Sequence, residues 1–207
     1  SEVASQLFQT IGRPGIQALG LVFSARPTDQ FIFYQESTEY WVKAAIGLPY
    51  YRCNGKVGAP PHGRYLYFHD ALTAEIVYAI LNSSLFYSYF VCYGDCFHLS
   101  DTLVSTFPVP LAATKDKGLA DLGAAILKDI AQKAEIKQIN TKGGDKISYA
   151  EFFGWKSKAL IDKVDERLAS LYCLDDEQLD LVTSFDSKFR LSQTDEAEDG
   201  TETAAAN

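Results

Sequence analysis

Hydrophobic and polar residues follow strand-like patterns in the first third of the chain. Two short apolar runs, at 17–24 and 30–35, are rich in β-branched, leucine and aromatic residues, and a turn-like segment at 25–29 separates them. Such runs between turn residues predict β-strands. Glycine, proline and aromatic residues then crowd 47–69. That region is predicted to contain strands interrupted by loops.

A long uncharged segment predicts the main buried helix. Asp70 or Thr73 can cap a helix from about Leu72 to Tyr93, and the 18 residues that end at Tyr93 carry no charge. This length reaches that of a membrane-spanning helix. However, an asparagine and three serines interrupt it, six aromatic residues make it bulky, and no basic flank follows. We therefore expect a helix buried in a protein core and no membrane segment.

Helical periodicity dominates the second half. Apolar positions spaced three and four apart predict one amphipathic helix at 118–139 and another at 158–171. The sequence Asp175-x-x-Gln178 is a capping-box-like start for a short last helix. Residues 141–145, which include two glycines, are predicted to form a loop between the two longer helices.

These elements predict an α+β protein in three parts. Residues 1–111 would form a domain with a mixed or antiparallel sheet and a largely buried helix, and residues 112–192 a helical C-terminal region. Residues 193–207 form an acidic tail without any large apolar residue, so we expect it to be disordered. Because the chain begins with serine and contains no methionine, we expect it to be part of a longer protein.

Charge is concentrated at the C-terminal end. The 207 residues include 27 acidic and 19 basic side chains, which gives a net charge of −8. Residues 171–207 hold ten acidic and two basic side chains, so the remaining 170 residues balance at 17 of each. The overall charge therefore describes the tail and does not exclude nucleic-acid binding by the rest of the chain.

One stretch of 30 residues, Tyr40–His69, contains no acidic residue. Basic side chains contact phosphates or guanine edges, and aromatic rings stack on bases. The candidate DNA-binding residues in this stretch are Trp41, Lys43, Tyr51, Arg52, Lys56, Arg64 and Tyr65. We expect the arginines and Lys56 to share one face with Tyr51, with Arg52 on a guanine and Lys56 on a phosphate. Composition alone favours the alternative, a glycine-rich sheet edge with buried aromatic and solvated basic residues.

Signatures of enzymes and metal sites are scarce. The chain has no glycine-rich phosphate loop, zinc-protease motif or nucleophile elbow. The segment Cys92–His98 offers three soft ligands without a fourth, and the four cysteines are expected to be reduced cytoplasmic thiols. Glu135-Ile-Lys137 is nuclease-like, but it falls within a predicted helix on which Asp129 does not share its face. We expect no catalytic residue, metal or cofactor in this chain.

Several segments resemble the C-terminal specificity region of adenine-specific DNA methyltransferases. The relevant systems are type II and fused type IIG restriction–modification systems and related phage-exclusion systems. The segments are Tyr40-Trp41, Leu48–Arg52, Leu81–Tyr87, Gly94–Leu99, Phe107-Pro108, Ile161–Val164 and Leu171–Leu179. Cys173 departs from the commonest version, which has glycine there and uses it to end the helix.

The resemblance implies a target-recognition domain that grips duplex DNA for an adenine methyltransferase domain upstream in the same protein, with or without a fused nuclease. Such enzymes use a glycine-rich cofactor loop and an Asn/Asp-Pro-Pro-Tyr loop, and this chain has neither. S-adenosylmethionine would therefore bind upstream, and the location would be the prokaryotic cytoplasm, on the nucleoid when DNA is bound. The alternative is a protein-interaction module with no DNA role.

Overall fold

The computed structural model describes residues 15–38 and 40–196. The strands are β1 Ile16–Ala18, β2 Gln30–Gln35, β3 Ala44–Ile46, β4 Tyr51–Cys53, β5 Lys56–Val57, β6 Gly63–Phe68, β7 Pro108–Pro110, β8 Glu135–Asn140 and β9 Lys146–Glu151. The α-helices are α1 Ala71–Asn82, α2 Ser84–Tyr93, α3 Asp101–Thr106, α4 Lys117–Lys133, α5 Lys158–Tyr172, α6 Asp176–Ser184 and α7 Ser187–Glu196. The predicted α+β class is confirmed.

The strands form three antiparallel sheets. β1 pairs with β7, a three-stranded sheet has the order β3-β2-β6, and a four-stranded sheet has the order β5-β4-β9-β8. β4 pairs with β5 on one side and with β9 on the other, so it joins two hairpins. The four-stranded sheet therefore brings the acid-free stretch together with a hairpin from the second half of the chain.

Helix α1 lies at the centre of the core. Asp70 caps it by accepting a hydrogen bond from the Thr73 amide at 2.8 Å, as the sequence predicts, and eight of its twelve residues are buried. α4 packs directly against it, since a Cβ on Gly123 would lie 2.1 Å from the Glu75 carbonyl oxygen. One buried cluster extends from Leu19 to Val182. The boundary predicted at residue 111 therefore does not separate two cores.

The long helix predicted up to Tyr93 is two helices. Ser83 has extended backbone angles that end α1, and its hydroxyl accepts a hydrogen bond from the Phe86 amide at 3.0 Å to cap α2. No single described helix is long and apolar enough to cross a membrane; α1 and α2 reach that composition only as a pair bent by 64°. Most side chains of both helices are buried inside the protein.

The helix predicted at 118–139 ends at Lys133, and the residues that follow form β8. Every residue of β8 is exposed, so its ladder with β9, rather than burial, holds it in place. The predicted loop at 141–145 is the turn of this hairpin. Of the strand predicted at 17–24, only the first residues belong to β1, because a 3₁₀ helix begins at Leu19. Helical periodicity at 118–139 was therefore a misleading signal beyond residue 133.

The C-terminal elements agree in part with the prediction. α5 matches the helix predicted at 158–171, and the capping box of Asp175 and Gln178 starts α6. α6 is not the last helix, because α7 continues to Glu196 and so enters the region predicted to be disordered. Residues 197–207 of that predicted tail lie outside the described residues.

Candidate nucleic-acid interface

Two hairpin turns lie side by side at one end of the four-stranded sheet. Asn54 and Gly55 join β4 to β5 with φ angles of 51° and 80°, the left-handed conformation that a type I′ turn needs. The Asn54 side-chain amide donates to Asp145 Oδ1 at 2.7 Å and accepts from the Lys146 amide at 2.9 Å. These bonds hold the two turns together as one edge.

One face of this sheet, which we call the outer face, contains Arg52. Directly opposite residues of an antiparallel pair share a face, and Arg52 is opposite Ser148 on β9 and Val57 on β5. Arg52 is exposed, with its guanidinium carbon 5.7 Å from the centre of the Tyr50 ring. Val57 is 75% exposed beside it. The outer face therefore presents an arginine next to an apolar side chain.

The opposite face, which we call the groove face, contains Tyr51. Tyr51 is paired with Tyr149, which is paired in turn with Lys137, and Lys56 is opposite Cys53 on the same face. Successive residues of a strand point to opposite sides. Tyr51 and Lys56 therefore share a face, whereas Arg52 does not join them, contrary to the expected arrangement.

Three basic side chains near the paired turns have no acidic partner. Arg52, Lys56 and Lys146 are exposed and form no ion pair with any residue that the structure describes. The Asp145 carboxylate in the neighbouring turn instead accepts the Asn54 amide. This end of the sheet therefore presents cationic groups that are available to bind an anion.

A groove of about 610 Å³ lies between the groove face and the three-stranded sheet. Its walls include the aromatic residues Phe33, Tyr50, Tyr51, Tyr149, Phe153 and Trp155. Lys43, one of the predicted site residues, lines it together with Gln35 and Glu151. The groove thus combines flat aromatic surfaces with a few polar groups.

Tyr65 extends this aromatic surface across the three-stranded sheet. It is 38% exposed and lies opposite Phe33, with ring centres 5.4 Å apart. Its ring is nearly parallel to that of Tyr67, at 6.1 Å, and Phe31 packs against both. Since Phe33 also lines the groove, Tyr65 lies next to the groove and not on the paired turns.

Arg64 is held by carboxylates that lie outside the acid-free stretch. Its Nε donates to Glu36 at 2.5 Å and its Nη1 to Asp101 at 2.6 Å, and these bonds raise the pKa of its guanidinium. The Tyr34 hydroxyl donates to the same Asp101 carboxylate at 2.5 Å. The predicted grouping of Arg64 with Arg52 is therefore not observed, because Arg64 lies in the other sheet and binds acids that are distant in sequence.

Trp41 has a packing role. The Arg190 guanidinium lies 4.0 Å from the centre of its ring, and the indole N–H donates to the Arg190 carbonyl at 3.3 Å. Gly154 packs against the other atoms of the indole, since a Cβ there would lie 2.9 Å from the ring. Trp41 thus packs between α7 and the segment after β9, a structural role that the sequence did not predict.

The nuclease-like segment and the cysteines form no joint site in the described part of the chain. Lys137 lies 3.6 Å from Glu135 and 3.5 Å from Glu151, and Asp129 accepts hydrogen bonds from Lys133 and Ser157. No group of three potential metal ligands occurs among residues 15–38 and 40–196, and all four cysteines are free thiols. Glu135, Lys137 and Asp129 thus take part in ion pairs and hydrogen bonds on the protein surface.

The second hairpin is the part of the site that sequence reasoning missed. β9 supplies Tyr149 and Ile147 to the groove, and the following segment supplies Phe153 and Trp155. The sequence contains a signal for it, because Lys146–Tyr149 alternates polar and apolar residues shortly after a glycine pair. The stronger helical periodicity before it concealed this signal.

Searches against protein-family models, curated proteins and solved structures find no match to this chain. The relation to methyltransferase specificity regions therefore stays a prediction from the residues quoted above.

Proposed function

We propose that this chain is the sequence-recognition domain of an adenine-specific DNA methyltransferase and that it binds duplex DNA through its paired hairpins. The observation that carries the proposal is the set of exposed cations without an acidic partner among the described residues that flank the two adjacent turns, namely Arg52, Lys56 and Lys146. The major groove of B-DNA, about 12 Å wide, accepts a two-stranded β-ribbon. The β4–β5 hairpin forms one edge of the four-stranded sheet, and its turn, with the neighbouring β8–β9 turn, is the part that would enter such a groove.

The side chains on the ribbon suit different parts of the duplex. The planar guanidinium of Arg52 matches the two acceptors of guanine, while Val57 on the same face offers an apolar contact for a thymine methyl group. Lys56, which directly follows Gly55 in the turn, suits a phosphate. Arg52 would therefore contribute to sequence selection, and Lys56 to affinity for any sequence.

The methyl transfer itself would take place on an upstream domain. The cofactor and catalytic loops of such enzymes are absent from the sequence, and base flipping delivers the target adenine to the catalytic domain. We expect no binding of S-adenosylmethionine to this chain in a calorimetric titration. A tight one-to-one complex with the cofactor would contradict this division of labour.

The alternative is a protein-interaction module, and the groove together with exposed Ile136 is the observation that favours it. Salt separates the two functions. Binding to phosphates releases counterions, so the affinity for DNA should fall steeply between 50 and 200 mM salt, by roughly tenfold or more for two to three contacts. An apolar docking surface responds little to salt.

Variants of the 207-residue chain test the hairpin assignment on duplex libraries. Arg52→Ala should weaken binding to the preferred sequence by about 1–3 kcal/mol and relax the choice at one base position. Lys56→Ala should weaken all sequences alike and lower the salt slope by about one. Lys163→Ala, an exposed lysine on α5, is the matched control. Unchanged affinity and selectivity in both hairpin variants would refute the proposal.

A further inference from the structure

The groove contains polar groups that have no partner in the protein. Within the described part of the chain, the Tyr51 and Tyr149 hydroxyls, the Gln35 side-chain amide and the Lys43 ammonium form no hydrogen bond or ion pair. All four side chains are partly exposed to the groove. Four unused donors and acceptors among aromatic walls are the composition of a ligand site.

The aromatic walls are held in place by the surrounding structure. Gly63 has Phe33 directly above it, since a Cβ there would lie 2.0 Å from the ring. On the far side, the Lys156 ammonium lies 4.0 Å from the Phe153 ring centre and 5.3 Å from that of Trp155, and Glu135 fixes it at 3.1 Å. Rings held in this way lose little freedom when a flat ligand stacks on them.

We propose that this groove binds an unpaired nucleobase of a DNA strand, an inference that rests on the proposed DNA recognition. A base stacks on aromatic side chains regardless of its identity. The amide of Gln35 and the hydroxyls of Tyr51 and Tyr149 can bond the edge of that base, and Lys43 can bind the adjoining phosphate. The site would hold a base that has left the duplex stack next to the recognised sequence.

Continuity with the hairpin surface favours a nucleic acid as the occupant. Arg52 and Tyr51 are adjacent on β4 but point to opposite faces. A DNA strand that crosses the end of the sheet at the two turns would therefore contact the cations first and the groove next. The lysines around the groove are Lys43, Lys56, Lys137 and Lys156, and the acids are Glu135, Glu151 and, in the turn, Asp145. Lys43 and Lys56 have no acidic partner among the residues that the structure describes. Unpaired cations favour a polyanion as the ligand over an uncharged proline-rich peptide.

The test uses the 207-residue chain and two duplexes that contain the fluorescent base 2-aminopurine, one fully paired and one with the base opposite an abasic site. We expect binding to be about tenfold tighter for the unpaired base and its fluorescence to be quenched on stacking. Tyr149→Ala should abolish this preference and leave affinity for the paired duplex within about twofold. Tyr149→Phe should retain the quenching, because it keeps the ring, and Tyr93→Ala on α2 is the aromatic control.

The outcomes separate the groove from the duplex proposal. Arg52→Ala should lower the affinity for both duplexes equally. A loss of salt-dependent binding to the fully paired duplex therefore tests the hairpins and not the groove. A single-stranded oligonucleotide with a central 2-aminopurine tests the groove even if the paired duplex does not bind. Equal affinity for both duplexes, or a preference that survives Tyr149→Ala, would overturn the inference. Binding of decaproline that depends on Tyr149, without binding of either DNA, would overturn it in favour of a peptide groove.

Discussion

Helix α1 and strand β8 are held in place by different forces. α1 buries eight of its twelve residues, whereas β8 exposes all six. α1 owes its position to apolar burial against α4 and the three-stranded sheet, while β8 owes its position to backbone bonds with β9 and to a tight turn. We therefore expect the helical core to supply most of the stability, whereas the four-stranded sheet leaves many of its side chains exposed.

A buried arginine connects the C-terminal helix to the core. Arg190 on α7 is 1% exposed and lies 4.0 Å from the Trp41 ring centre and 4.3 Å from that of Tyr87. It donates to the Tyr40 carbonyl at 3.2 Å and to the Ser84 hydroxyl at 3.1 Å. Burial lowers the pKa of its guanidinium. The cluster anchors α7 on the segment before β3 and on the start of α2.

The largest expected effect breaks this anchor. Arg190→Ala should lower the free energy of unfolding by about 3–5 kcal/mol, because it empties a buried site and leaves its hydrogen-bond acceptors unpaired. Lys188→Ala, an exposed lysine on the same helix, is the control and should change little. Chemical denaturation of both variants measures the difference. A loss below 1 kcal/mol for Arg190→Ala would show that α7 does not stabilise the core.

The same substitution in both regions sharpens the comparison. Ile126 on α4 is 0% exposed, whereas Ile136 on β8 is 55% exposed. Ile126→Ala should cost about 2–5 kcal/mol of unfolding free energy because it leaves a cavity, and Ile136→Ala should stay within about 0.5 kcal/mol. Similar losses for the two variants, measured by urea unfolding, would show that β8 is buried in solution and that the two regions do not differ as described.

Asp165 makes the stability of the core depend on pH. Its Oδ1 accepts from the Ser84 and Leu85 amides at 2.8 and 3.3 Å and so caps α2, while its buried Oδ2 has no partner among the described residues. Burial raises the pKa of Asp165 to about 6, against hydrogen bonds from Ser84 and Leu85 and the charge of Lys158. In the unfolded chain the pKa of an aspartate is about 3.9.

Between about pH 4 and pH 6 the folded state therefore binds more protons at Asp165 than the unfolded state, so this group lowers stability as pH rises. Asp165→Asn keeps the cap but cannot ionise. The stability of the natural chain relative to this variant should fall by about 2 kcal/mol from pH 4 to pH 7. Carboxylates elsewhere titrate alike in both proteins and cancel. A difference that is constant with pH would contradict the raised pKa.

The smallest effect concerns the acidic end of the chain. Deletion of residues 197–207 should change the free energy of unfolding by less than about 0.5 kcal/mol, because they contain no large apolar residue. The deletion removes Glu198, Asp199 and Glu202, so it should strengthen DNA binding at low salt by reducing competition with phosphate. A large fall in melting temperature would show that this segment packs on the core.

Sequence reasoning succeeded where the determining interactions are local. The caps at Asp70 and Asp175, the periodicity of α5 and the α+β class all depend on residues within one or two helical turns of each other. The prediction went wrong at Ser83, which breaks the long helix, and beyond Lys133, where an exposed strand follows. At both positions the local pattern is compatible with more than one structure.

The sequence by itself determined which segments could be helical or extended and which stretch lacks acidic residues. Only the tertiary structure decided what that stretch meets. In the folded protein, Arg64 pairs with Glu36 and Asp101, and Arg190 packs on the ring of Trp41. Tyr51 and Arg52 point to opposite faces of a sheet. The physical reason is that ion pairs, ring contacts and strand register join residues far apart in the chain, and no periodicity within a short window encodes those partners.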